Sequence, residues 1–394
     1  MQYDADVIIA GAGPSGTIAA FKLARQGVDV LILEKAEFPR YKVCGGGLTH
    51  KILQEIQSDI DSVIEREIFS IRFSCNFTDS FTRTATEPLI YCTMRDKLDQ
   101  LLLRNAVEAG SRVMFGEHIS GIIQVHSGID IKTHRGSWKS LYLIGADGAS
   151  SVVAKATGLW KNIMPGMAWE AEMEAAPEDI KRLSQTVFLD WGTIPGGYGW
   201  IFPKKNHFSV GIGGPASLSK QLKTYGEKFI RSSGIRFLGT QTMKAWPIPV
   251  KTKKGPFHSG RTLIAGDAAG LTDPMTGEGI YYAVKSGRHA AKAIFDQLQG
   301  DPNGLIRYTD EINSDLMPDL MEAEQIKAVF NAVPLFIHRK VKERDRVWRA
   351  FWKILRGERN YLDVKRGFGM WRFLWGTTCW VAKRYHFLRT GLRR

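Results

Sequence analysis

Gly11-Ala12-Gly13-Pro14-Ser15-Gly16 sets three glycines at the spacing G-x-G-x-x-G. Between a strand and a helix, such a turn handles phosphates. The first glycine permits the tight turn, the second lets backbone approach a pyrophosphate, and the third lets helix and strand pack closely. The helix N-terminus adds free N–H groups and a partial positive charge. Glu34, 18 residues after Gly16, stands where a carboxylate binds a ribose hydroxyl pair. A second constellation is Pro195-Gly196-Gly197-Tyr198-Gly199-Trp200-Ile201-Phe202-Pro203. Residues two apart on a strand share a face, so Tyr198, Trp200 and Phe202 make one aromatic wall, and Gly199 admits another element on the opposite side. A wall of this kind suits a long apolar ligand, with the tyrosine hydroxyl as its polar handle. The competing reading is ordinary sheet core. A third candidate is Cys44, in the loop Phe38-Pro39-Arg40-Tyr41-Lys42-Val43-Cys44-Gly45-Gly46-Gly47-Leu48. It reads either as a catalytic thiol or, the favoured reading, as a small residue in a glycine loop. His50 and His207 have no visible partner and read as structural or surface residues.

The elements around these residues follow from periodicity. Residues 6–10 form a short apolar run, 14–26 carry a helical pattern ended by Gly27, and 28–33 are apolar again, which together make a βαβ unit. Residues 50–68 are predicted to be helical, 69–92 to form antiparallel strands, 95–109 a helix and 112–147 short strands. Residues 167–250 are predicted to be strand-rich, 262–265 a strand and 279 to about 299 a helix. The order implies interleaving. Residues 1–68, 92–160 and 255–330 are expected to build an α/β, Rossmann-like nucleotide-binding domain. Residues 69–91 and 161–254 are expected to form an inserted antiparallel-sheet substrate domain, and 331–394 a C-terminal helical appendage.

Composition narrows the classes. At 394 residues, 44% hydrophobic and 24% charged, the chain has ordinary globular values. Cys44, Cys75, Cys92 and Cys379 show neither metal-ligand spacing nor a disulfide framework, so no metal site and a reducing compartment are expected. An apolar strand begins almost at once, so no leader is expected. No run approaches the roughly 18 apolar residues of a membrane span; 373–382 is the nearest candidate. The charge of +14 is localised: residues 331–394 hold 17 Lys or Arg against 4 Asp or Glu, leaving the first 330 residues at +1. Trp348, Phe351, Trp352 and Leu355 recur there at helical spacing among Arg344, Arg346, Arg349, Lys353 and Arg356. Trp371 and Trp375 repeat the pattern. Basic residues with Trp on an amphipathic helix fit an anionic membrane surface, while the competing reading packs the stripe on the body. No nucleic-acid partner is expected, because nothing resembles a known reader.

Further motifs carry a family resemblance. Leu143-Ile144-Gly145-Ala146-Asp147-Gly148 resembles the Asp-Gly motif of the flavoprotein hydroxylase superfamily. Thr262-Leu263-Ile264-Ala265-Gly266-Asp267-Ala268-Ala269 resembles its Gly-Asp motif, whose aspartate contacts the flavin ribityl chain. Pro274-Met275-Thr276-Gly277-Glu278-Gly279-Ile280 follows as the loop and helix start that offer N–H groups to the polar edge of the isoalloxazine. Arg95 matches an arginine that meets the cofactor phosphates. The resemblance implies FAD, with Gly45 and Gly47 offering N–H groups to the ring beside Cys44. The 38–48 loop together with the 195–203 motif resembles the geranylgeranyl reductase family, over residues 1 to about 330. That resemblance implies saturation of prenyl C=C bonds: hydride from reduced flavin N5 reaches one alkene carbon and a proton completes the other. No second nucleotide fingerprint is present, so the reductant is NADPH bound without its own Rossmann unit, or another electron donor.

Two rivals share the fold. A flavin monooxygenase or halogenase is one, although Tyr198 and Phe202 replace two markers of the halogenase W-x-W-x-I-P stretch. A non-catalytic prenyl-binding escort is the other, opposed by the intact flavin motifs. The expected location is cytoplasmic, peripheral on the inner membrane face through 331–394.

Overall fold

The structure is a computed structural model that describes residues 3–56, 59–367, 378–382 and 384. Trp371, Trp375 and the first half of the run 373–382 lie outside the described residues. Among the described residues the strands form three sheets.

The first is parallel at its centre. Strands Thr262–Ile264, Ser137–Gly145, Ala5–Ala10, Val30–Glu34 and Arg112–Phe115 pair in that order, all parallel. Val7, Ile8, Ile9 and Ile32 are fully buried, as a sheet covered on both faces requires. Helix Pro14–Ala24 connects the first two strands in chain order, with Pro14 at its first turn. It packs against helix Ile280–Leu298 so closely that a Cβ on Gly287 would come within 2.4 Å of the Ser15 carbonyl.

The second sheet has seven strands: Phe237–Lys251, Ile163–Ala175, Phe208–Pro215, Tyr198–Pro203, Thr186–Trp191, Ser70–Cys75 and Thr78–Thr84. All neighbours are antiparallel except Thr186–Trp191 with Ser70–Cys75, which run parallel. One face is covered by helix Ser219–Ser232, whose Leu222 and Phe229 pack on Ile201, Val210 and Ile212. The sequence reading did not anticipate this helix. Gly199 opens onto it, since a Cβ there would sit 3.0 Å from the Phe229 ring. The other face looks toward the first sheet.

Residues 50–68 depart from the predicted helix. They form short 3-10 turns at His50–Gln54 and Asp61–Val63 and then strand Ile64–Ile68, which joins Gly47–Thr49 and Ile90–Thr93 in the third sheet. Ile52, Ile56 and Ile60 are buried together, and their spacing of four imitates a helix. The Asp61 N–H donates to the Asp59 side chain at 2.9 Å, a local bond that competes with helical pairing.

The basic segment begins with helices Pro334–Glu343, Asp345–Leu355 and Tyr361–Arg366. Its aromatic stripe faces inward. Trp348 and Leu355 are buried, and the rings of Trp348 and Phe351 meet Phe73 edge-on at 6.1 and 5.7 Å. The membrane reading of that stripe is therefore corrected: these rings pack on the seven-stranded sheet. Among the described residues no helix is long and apolar enough to cross a membrane.

Candidate active site

The register of the seven-stranded sheet defines the site's wall. Glu170 lies opposite Gly211, Gly211 opposite Trp200, and Trp200 opposite Leu189. The neighbouring rows are Ala168, Gly213, Tyr198 and Trp191 on one side, and Glu172, Ser209 and Phe202 on the other. Directly opposed residues share a face, so Glu170, Tyr198, Trp200 and Phe202 project together. The Trp200 indole lies across Gly211, where a Cβ would be 2.1 Å from its ring, so this strand position has room only for hydrogen.

This wall closes a cavity of about 1440 Å³ that also contains the phosphate turn. Of the residues singled out from sequence, Gly11, Gly13, Ser15, Glu34, Cys44, Gly45, Gly47, Arg95, Asp147, Asp267, Gly277, Gly279, Ile280, Tyr198, Trp200 and Phe202 all line it. Gly16 lies behind, where a Cβ would strike the Gly11 carbonyl at 2.0 Å.

The two turn glycines are needed for different reasons. Gly11 adopts φ +101°, and a Cβ there would be 2.5 Å from the Ala146 carbonyl, so the protein itself demands glycine. Gly13 has φ −76° and ψ 177°, ordinary extended backbone, and a Cβ there meets no protein atom within 4 Å. The space over Gly13 is open and sits at a helix N-terminus, where a pyrophosphate fits. Glu34 is buried at the same end. Its two oxygens accept from the Ala12 and Ala36 N–H groups at 2.7 and 3.0 Å, which fixes the carboxylate beside the turn.

Arg95 is clamped by Asp99 through two bonds of 2.8 Å, and Asp99 also meets Arg40 at 3.0 Å, so two guanidinium groups are held at the phosphate end. Asp147 accepts from Val152 and Val153 N–H at 2.7 and 3.2 Å and from the Ser151 hydroxyl, capping the short helix that follows. Asp267 sits below the 277–280 loop, with Oδ1 3.4 Å from the Thr272 hydroxyl.

At the other end, the 44–47 loop faces the aromatic wall. A Cβ on Gly45 would touch Trp200 Nε1 and the Phe202 ring at 2.7 Å. Tyr198 donates its hydroxyl to the Thr276 carbonyl, and burial pushes its phenol far up, so it stays protonated. The Cys44 sulfur accepts from the Gly46 N–H at 3.4 Å and lies against the Arg95 guanidinium. His50 meets the Tyr91 hydroxyl at 3.2 Å, and buried His207 meets Glu172 at 3.0 Å; both have partners the sequence did not show.

Several site residues escaped sequence reasoning. Lys204 is wholly buried and donates to the carbonyls of Gly45 and Thr93 at 2.7 and 2.8 Å, pinning the glycine loop. Its only sequence signal is adjacency to Pro203. Lys42 lies over the Trp246 ring at 3.6 Å, and burial lowers its pKa to about 8. Glu170 accepts from the Cys44 N–H at 2.8 Å. Burial, aided by the nearby Glu172 charge, raises its pKa to about 8. The cavity's far end is apolar, lined by Ile71, Leu189, Trp191, Phe330, Phe351 and Leu355. The C-terminal segment thus supplies part of its wall. Tyr361 also ties that segment to the 273–280 loop, donating to Asp273 at 2.8 Å.

An open phosphate turn, a fixed carboxylate beside it and two glycine loops lining the same cavity fit FAD. The family described as "FAD binding domain" matches residues 4–180. The protein is an FAD-dependent oxidoreductase acting on C=C bonds. The chain is 31% identical to digeranylgeranylglycerophospholipid reductase 1 of Methanopyrus kandleri, over 77% of this chain and 85% of that one. It is 30% identical to geranylgeranyl diphosphate reductase of Rhodobacter capsulatus, over 77% and 78%. Among solved structures, a geranylgeranyl bacteriochlorophyll reductase-like protein of Thermoplasma acidophilum superposes with a TM-score of 0.72 at 26% identity, covering 83% of this chain and 87% of that one. The chain belongs to the geranylgeranyl reductase family.

Proposed function

We propose that the chain saturates C=C bonds of a geranylgeranyl-type prenyl lipid held in the apolar half of the cavity. The observation that carries this reading is the continuity of one cavity, from the open phosphate turn at Gly13 to the apolar gallery ending at Phe351 and Leu355. Bound and reduced, FAD would supply a hydride. The residues of the chain would do the rest. Gly11, Gly13 and Ser15 would receive the pyrophosphate, with Gly16 packing the helix against the turn, Glu34 would take the ribose, and Arg95 the phosphate charge. Asp147 and Asp267 would hold the cofactor's middle, and Cys44, Gly45, Gly47, Gly277, Gly279 and Ile280 would frame the ring. Tyr198, Trp200 and Phe202 would press the alkene toward it and exclude water. NADPH or another donor would reduce the flavin.

Docking on an anionic bilayer remains part of this reading, through three of the arginines the sequence suggested and apolar residues it did not. Arg344, Arg346 and Arg349 are exposed, as are Leu335 (50%), Phe336 (56%) and Trp380 (60%). Arg356 instead pairs with Glu87 and Glu358. Trp380 also lines the cavity, so a docked face would lie beside a route for a lipid chain. The test is mass spectrometry of lipids that co-purify with the protein and of a geranylgeranyl lipid incubated with it under reductant. Gain of one dihydrogen per bond supports the proposal. A hydroxylated or halogenated product refutes it.

A further inference from the structure

The proposed reduction needs a proton for the second alkene carbon, and an unactivated alkene accepts one only from an acid placed against it. The cavity holds several carboxyl groups, and most are committed elsewhere. Glu34 binds two backbone N–H groups, Asp147 caps a helix, Glu278 pairs with Lys51 at 2.7 Å, and Asp273 accepts from Tyr361. Glu170 differs. It is 1% exposed, and while Oε1 accepts the Cys44 N–H, Oε2 is buried with no hydrogen-bond partner among the described residues. The same holds for Trp200 Nε1, on the same sheet face one glycine away. Two unsatisfied buried polar atoms on one cavity wall are costly unless something occupies the space before them.

We infer that Glu170 is the acid that protonates the alkene. The inference rests on the proposed prenyl reduction. The hydride electron pair makes the first C–H bond, and the alkene π pair takes the Glu170 proton to make the second. Glu170 is left as a carboxylate, the lipid is reduced, and the flavin is oxidised. The carboxyl is built to be neutral before the step. Burial is the largest cause, and the Glu172 carboxylate on the same strand adds to it. Arg95 from the 95–108 helix and Lys204 from the end of the aromatic strand oppose them. Lys244 lies opposite on the next strand, and Cys44 and Tyr41 face it from the loop. Reprotonation would come from the Glu172 side of the wall. Glu172, two residues on, meets His207 Nε2 at 3.0 Å, and His207 Nδ1 meets Asn206 at 2.9 Å, where the chain is exposed.

Glu170→Gln tests this directly, because the amide oxygen still accepts the Cys44 N–H while the acid is gone. FAD-loaded protein, reduced with dithionite without oxygen, is mixed with a geranylgeranyl lipid, and flavin reoxidation is followed. The expected result is reoxidation slowed ~10²–10⁴-fold, the usual share of general acid catalysis. The flavin spectrum and reoxidation by oxygen should stay unchanged. Wild-type rates should fall as pH rises through about 8, a limb absent in Glu170→Gln and retained in Glu170→Asp. A readout independent of turnover is the infrared band of a protonated carboxylic acid in the FAD-free protein. It should titrate over the same range and vanish in Glu170→Gln. Wild-type reoxidation rates in Glu170→Gln would overturn the inference while leaving the proposed function standing. If lipid fails to reoxidise even the wild type, the proposed function falls and takes this inference with it.

Discussion

Gly13→Ala separates what the protein needs from what its cofactor needs, because the FAD-free fold has room for the methyl group and the cofactor does not. The backbone at Gly13 is one that alanine adopts freely, and the added Cβ meets no protein atom within 4 Å. Replacing glycine there reduces the freedom of the unfolded chain, a gain of roughly 0.4–1 kcal/mol, but Gly13 is the helix N-cap, where alanine is worse than glycine by about as much. The two nearly cancel, and in a chain this long the difference stays within about 1 °C in the melting temperature of the FAD-free protein. The same methyl group occupies the space over the helix N-terminus where the pyrophosphate must come close. Losing one charge-assisted N–H bond costs ~1.5–3 kcal/mol, or about 10- to 150-fold in Kd. Calorimetric titration of apoprotein with FAD, beside thermal melts with and without FAD, measures both. The expected outcome is a nearly unchanged apo Tm and a much smaller shift on adding FAD. A variant that binds FAD as the wild type does would refute the placement of the pyrophosphate. A variant destabilised without FAD would refute the claim that the fold itself tolerates a side chain there.

Other consequences follow from the same geometry. Trp200→Ala should keep its flavin spectrum and lose ~1–3 kcal/mol of prenyl-lipid binding, read as a raised KM; loss of flavin or unfolding would make the indole ordinary core. Lys204→Met removes two buried hydrogen bonds to Gly45 and Thr93 and should lower stability by about 2–4 kcal/mol in denaturant melts, whereas an unchanged midpoint would mean that the loop holds itself. Since the Glu170 pKa is raised in the fold, its contribution favours folding below its unfolded value and is lost as pH rises toward about 8. Glu170→Gln should therefore gain stability relative to wild type across that range, and parallel pH profiles would count against a buried acid. Arg344, Arg346 and Arg349 replaced by Glu, or Leu335, Phe336 and Trp380 by Ser, should weaken sedimentation with anionic vesicles, the first set more at low salt. Unbound wild-type protein at low ionic strength would end the docking proposal.

The parts of this protein legible in sequence are those set by local rules. The phosphate turn could be read because its glycines, its helix start and Glu34 lie within one βαβ unit. The aromatic wall could be read because strand period alone puts Tyr198, Trp200 and Phe202 on one face. Glu170 could not. Its strand alternates Glu170 and Glu172 with Trp169, Ala171 and Met173, which looks like a solvent face opposite a core face. Only the register to Gly211 and Trp200 shows that this face looks into the cavity. Lys204 was equally silent, because the carbonyls it holds lie 159 and 111 residues away. The Trp348–Phe351 stripe has the same periodicity whether it meets lipid or protein. What decides is Phe73, a residue remote in sequence whose ring it packs against. Residues 50–68 show the converse error, where three buried isoleucines at helical spacing line irregular chain.

Whether flavin electrons end in a prenyl C–H bond is decided by an oxygen-free single turnover. Protein carrying photoreduced FAD is mixed with one equivalent of a geranylgeranyl lipid in deuterated water, and flavin absorbance and lipid mass are followed together. The account predicts that flavin reoxidation and lipid saturation rise with the same rate and amplitude, with solvent deuterium in the product. Flavin that stays reduced until oxygen enters, or a product that gains oxygen or halide instead, would contradict it.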